Sequence, residues 1–116
     1  MRDHNKLTAF HLAYNFVPVV YAATKSFPVE ERFGLQSQLR RAAVSVPTNI
    51  VEGCARRTQP EYVQFLNIAY GSAAEVAFLI DLSHRLGLIA TEQYNSISPK
   101  EEEVRKVLNG LVQSLT

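Results

Sequence analysis

Cysteine occurs once, at Cys54, so the chain has no internal disulfide. Its small neighbours Gly53 and Ala55 point to a packed thiol in a reducing compartment rather than to a nucleophile. Period-two alternation of useful length is missing, which argues against a sheet. So is any apolar run near the roughly 20 residues of a membrane span. The longest, Phe16 to Ala23, contains Pro18. The N-terminal MRDHNK has neither the apolar core nor the small-residue cleavage site of a secretory signal. A cytoplasmic protein with no membrane partner is expected.

Chemistry-bearing constellations are missing as well. His4, His11 and His84 stand apart, none with the i, i+4 partner that lets two imidazoles share a metal. The acidic run Glu101-Glu102-Glu103 lacks the Glu-x-x-His motif of di-iron bundles, and beside Lys100, Arg105 and Lys106 it reads as a solvated helix face. There is no glycine-rich phosphate loop and no serine or cysteine nucleophile in a recognisable motif. The expectation is a non-enzyme with no catalytic residue, cofactor, metal or small-molecule substrate.

What remains is helical patterning. The 116 residues, 47% apolar and 20% charged, suit one globular domain spanning 1–116. From Leu7, the residues Phe10, Tyr14, Val17 and Tyr21 recur three or four apart and predict a core-facing stripe, with Asp3 or Asn5 as cap. Leu12, Phe16 and Val20 then lie beyond that stripe. Pro18 predicts a kink, and Phe27-Pro28 an end.

A second helix is expected from Phe33 or Gly34. At about 100° per residue, Leu35, Leu39, Ala42, Val46, Ile50 and Gly53 share a core face. On the same wheel Arg41, Ser45, Asn49, Glu52 and Arg56 form a polar stripe within about 80°. Val44, Val51 and Ala55 lie roughly opposite the core, an apolar patch that needs a second partner.

Thr58-Gln59-Pro60-Glu61 is a capping box opening a third helix, in which Tyr62, Phe65, Leu66, Ala69, Ala73, Val76 and Ile80 lead to a stop at Gly87. Gly71-Ser72-Ala73-Ala74 reads as a packing notch. Thr91 is positioned to cap a fourth helix carrying Tyr94, Ile97, Glu101, Val104, Leu108, Leu111 and Leu115. Ser98-Pro99-Lys100-Glu101 is either a kink within that helix, the favoured reading, or a fresh start. Short connections make this an all-α, up-and-down antiparallel four-helix bundle, kinked at its internal prolines.

The motif FPxEExFGLxxQLRRAAVSVPxNIxEGxxRR, followed by EYxxFLxIAxGSxxE and RLGLI, resembles the four-helix bundle proteins encoded within intervening sequences of bacterial 23S ribosomal RNA genes. It is carried by Phe27, Pro28, Glu30, Glu31, Gly34, Leu35, Gln38, Arg40, Arg41, Ala42, Pro47, Asn49, Ile50, Glu52, Gly53, Arg56, Phe65, Gly71, Ser72, Glu75, Leu86 and Gly87. The first helix departs most, with Lys6-Leu7-Thr8-Ala9-Phe10 in place of an opening that holds tryptophan. The resemblance implies a ring, commonly a homopentamer, in a family whose molecular activity is largely unassigned. A related branch resembles accessory proteins of diversity-generating retroelements, basic pentamers that work with a reverse transcriptase and nucleic acid.

Between Arg32 and Arg57 stand five arginines and one glutamate, a surplus of four positive charges in a chain whose total is +1. Arg40, Arg41, Arg56 and Arg57 are therefore the candidate contacts to RNA or DNA phosphates, or else to a subunit interface. Arg40 and Arg56 differ by about 160° on a straight helix, so one flat patch is not implied. Glu52 is one turn from Arg56 and suited to pair with it, and Asn49 and Glu75 read as structural polar groups. Two readings of different class stand: a nucleic-acid-associated adaptor and a protein-binding scaffold.

Overall fold

The computed structural model describes residues 2–116. Four helices follow in order: α1 (Thr8–Thr24), α2 (Leu35–Cys54), α3 (Gln59–Arg85) and α4 (Thr91–Leu115). Short 3-10 turns at His4–Lys6 and Val29–Glu31 precede the first two. Each helix packs on its neighbours in the cycle α1–α2–α3–α4–α1, most extensively α2 on α3, and among the described residues neither diagonal pair brings its Cα atoms within 8 Å. This is the expected four-helix bundle. At 1.5 Å per residue the 27 residues of α3 account for nearly all of its 43 Å long axis.

Local chemistry explains the boundaries. Asp3 caps the first 3-10 turn by accepting from the Asn5 amide at 3.0 Å, rather than capping α1, which starts at Leu7 without a side-chain cap. Glu31 accepts from the Leu35 amide at 3.0 Å and supplies the negative charge that the start of α2 favours. At α3 the Thr58 hydroxyl accepts from the Glu61 amide at 3.3 Å, and Gly87 ends the helix at φ +78, where a side chain would be strained. Ala90, not Thr91, occupies the cap position of α4, and the Thr91 hydroxyl is engaged with His84 Nε2 at 3.1 Å. Pro18, Pro47 and Pro99 all lie inside continuous helices, so α4 is one helix rather than two.

The core departs from the sequence reading chiefly in α1. Its buried line is Ala9, Phe10, Ala13, Phe16, Val20, Ala23 and Thr24. Tyr14 and Tyr21 are 60% and 42% exposed. Phe16 and Val20 are thus core residues, and the tyrosines carry the outward apolar surface. Small residues decide the choice: Ala9, Ala13 and Ala23 let neighbouring helices come closer than a tyrosine line would. In α2 the expected face is buried except for half-buried Leu35, with Ala43, Pro47 and Cys54 added.

By length and composition alone, α3 is apolar enough to cross a membrane, although Gln64, Asn67 and Glu75 interrupt its sequence. In the fold it packs between α2 and α4, with Glu75 and Asp81 exposed. Glu101, placed on the seam of α4 by its spacing and on a solvated face by its acidic and basic neighbours, is 3% exposed, so the spacing is the reading that holds. It fills a layer to which α1, α2 and α3 contribute Ala13, Ala43 and Ala73, and three alanines leave room for one long side chain. Its carboxylate is held by Arg105 Nε at 2.8 and 2.9 Å.

Candidate functional site

The four candidate arginines occupy two places. Arg40 and Arg41 stand in the second turn of α2, whereas Arg56 and Arg57 lie beyond its end, in the connection to α3. About 13 residues of helix at 1.5 Å each, roughly 20 Å, separate Arg41 from the end of α2 at Cys54, beyond which Arg56 lies. A wheel drawn through Arg56 overran the helix, which ends at Cys54 with its cap at Ala55.

Arg40 is committed within the chain. Its Nε donates to the Thr24 hydroxyl at 2.8 Å, its Nη2 to the Tyr21 carbonyl at 3.2 Å, and its guanidinium sits 4.4 Å from the Tyr21 ring centroid. Gln36 Nε2 adds a 2.8 Å bond to the Thr24 carbonyl, which also accepts from the Phe27 amide at 3.1 Å, so α2 helps to tie down the end of α1. At the other end Arg56 lies over the Phe65 ring at 4.4 Å, and makes no pair with Glu52. Arg2, which sequence reasoning passed over, covers Tyr62 at 4.1 Å and donates to the Arg56 carbonyl at 3.3 Å. Arg41 and Arg57 are exposed and have no hydrogen-bond or ion-pair partner among the described residues.

Two grooves flank α2. Toward α1 lies an apolar one of about 710 Å³, walled by Phe10, Tyr14, Val17, Pro18, Val44 and Pro47. The Thr48 hydroxyl donates to the Val44 carbonyl at 2.7 Å, so its polar group turns back into the helix. Glu52 stands exposed at this groove. Val44, at 39% exposure, and exposed Ala55 make up the outward patch expected on α2, while Val51 is half-buried against the core.

Toward α3 lies a polar groove of about 520 Å³ with Arg41 on one wall and Glu75 on the other. Ser45 and Ser72 share a 2.8 Å hydrogen bond across its floor, and Asn49 Nδ2 donates to the Ser45 carbonyl and hydroxyl at 2.8 and 2.9 Å. Asn49 thus knits the floor. Phe33, at the rim, is 89% exposed. The sequence reading set Phe33 at a helix start and so passed over it. It lies in the loop before Gly34, where no packed helix face covers its ring.

Burial is the chief perturbation of three titratable groups, Cys54, Tyr62 and Glu101, and raises each. Cys54 is buried, and desolvation raises its thiol above the ordinary value despite the lowering influence of the nearby Tyr62 hydroxyl, which makes the thiolate scarcer. Burial likewise raises the Glu101 carboxyl, against the opposing pull of Arg105. The described residues contain no cluster of three or more metal-ligating side chains.

Residues 5–110 match the family model described as 23S rRNA-intervening sequence protein. No curated protein matches the chain. Among solved structures, a protein of unknown function from the S23 ribosomal protein family of Bacteroides thetaiotaomicron superposes with a TM-score of 0.81 at 24% identity. The match covers 90% of this chain and 95% of that one, and bears on the fold.

Proposed function

Because the chain belongs to the 23S rRNA-intervening sequence protein family, whose molecular role is unassigned, we propose that it acts as a non-enzymatic, self-assembling scaffold whose subunits meet through the α1–α2 face. The observation that carries this reading is the apolar groove bounded by Tyr14 and Val44, both exposed. Apolar surface grouped along a groove, rather than scattered, is the mark of a docking face. A chain of 116 residues also gains more from added burial than a larger one. The ring of five copies implied by the resemblance is one closed arrangement that would cover the groove in every subunit.

Val44→Lys puts a charge into this face at an exposed position, leaving the monomer intact. Sedimentation of wild type and variant at equal concentration tests the reading. The scaffold predicts a large species for wild type and a smaller one for Val44→Lys, whereas identical sedimentation removes the α1–α2 face from the assembly.

The nucleic-acid adaptor keeps one specific support: Arg57 is exposed without a partner among the described residues, beside Arg2 and Arg56 stacked on aromatic rings. Phosphate contacts from such groups weaken steeply with salt. Ultraviolet absorbance ratios of protein prepared at low and then high salt would reveal bound nucleic acid shed by salt. A protein-like ratio at both leaves the scaffold reading alone.

A further inference from the structure

The polar groove between α2 and α3 presents an unusual charge pattern. Arg41 and Glu75 face it from opposite walls, both exposed, and neither is in an ion pair among the described residues. Between them the floor is formed by small groups, Ala42 and the Ser45 and Ser72 hydroxyls, which are bonded to each other. An approaching backbone would not be held off.

A two-fold axis running along such a groove exchanges its walls. An isologous contact requires a patch complementary to itself, and one base facing one acid across a shallow floor meets that requirement. Phe33, 89% exposed at the rim of the same groove, would be covered by the same approach. We propose that this groove docks a second copy of the chain, with Arg41 paired to the partner's Glu75 and Glu75 to the partner's Arg41. The contact rests on the self-assembly reading but uses a different face from the apolar groove, so it joins two copies, or two rings, back to back.

The test is a charge-reversal set measured by light scattering: Arg41→Glu, Glu75→Arg, their equimolar mixture and the double variant, with folding checked by circular dichroism. Each single variant places like charges across the contact and should show half the wild-type mass. The mixture and the double variant both restore opposite charges and should recover it. Single variants that keep the wild-type mass, or a mixture that fails to recover it, overturn this contact and leave the α1–α2 face untouched. A monomeric wild type removes both.

Discussion

Arg40 Nε donates to the Thr24 hydroxyl at 2.8 Å, and that one bond settles what half of the double arginine does. Thr24 closes α1, fully buried, and its hydroxyl in turn donates to the Val20 carbonyl at 2.9 Å. A guanidinium spent on the end of one helix and stacked on Tyr21 is an internal tie, whereas its neighbour Arg41 faces outward.

Arg40→Ala should therefore act on stability. It removes two hydrogen bonds from a charged donor, and a loss of about 1 to 3 kcal/mol is expected. Arg40→Lys should recover only part, because an ammonium cannot reproduce the planar fork over Tyr21. Denaturant unfolding of the two variants measures this. Undiminished stability together with lost nucleic-acid binding would return Arg40 to the phosphate-contact reading.

Gly53 and Gly71 separate close packing inside the chain from space left outside it. A Cβ at Gly53 would stand 3.0 Å from the Phe65 Cβ and 3.3 Å from the Tyr62 carbonyl, so Gly53→Ala should push α2 from α3 and cost about 1 to 3 kcal/mol. Gly71→Ala meets nothing in the monomer and should raise helix stability by about 0.5 to 1 kcal/mol. If a second copy approaches at Gly71, the same substitution should weaken assembly while stabilising the monomer. Melting and mass measurements on both variants distinguish these effects.

Glu101 predicts a pH dependence. Its ordinary value is 4.5, and burial raises the folded-state value above that. The folded protein then holds the proton more tightly than the unfolded chain. The resulting stabilisation is complete below pH 4.5 and is lost as pH rises through the raised folded value. Charged neighbours on the same helix, Arg105 and Glu102, and Asp81 on α3 modulate it, while α1 and α2 contribute only apolar groups to its layer. Glu101→Gln should flatten the change of urea midpoint with pH across this window. An unchanged slope would assign the dependence to other groups.

Much of the bundle was legible in the sequence because its signals are local. The α3 start at Thr58, its stop at Gly87, and the core faces of α2, α3 and α4 each depend on residues within a few turns. The α1 face was misread because two apolar lines compete on that helix. Weighing residues by bulk favoured Tyr14 and Tyr21, whereas close packing favoured Ala9, Ala13 and Ala23. Glu101 was read two ways, on the α4 seam by spacing and on a solvated face by its charged neighbours, and nothing local chooses between them, because its burial depends on three alanines, each contributed by a different helix. The candidate site was legible only as composition. Residue spacing placed Arg40 and Arg41 side by side, but the partner that occupies Arg40 is Thr24, on another helix.

Self-assembly is the claim on which the functional reading stands, and the molar mass of the wild-type chain by light scattering, over a range of concentrations, tests it most directly. The account predicts a species several times the 13.0 kDa of one chain, persisting on dilution. A mass of 13.0 kDa at every concentration would contradict it.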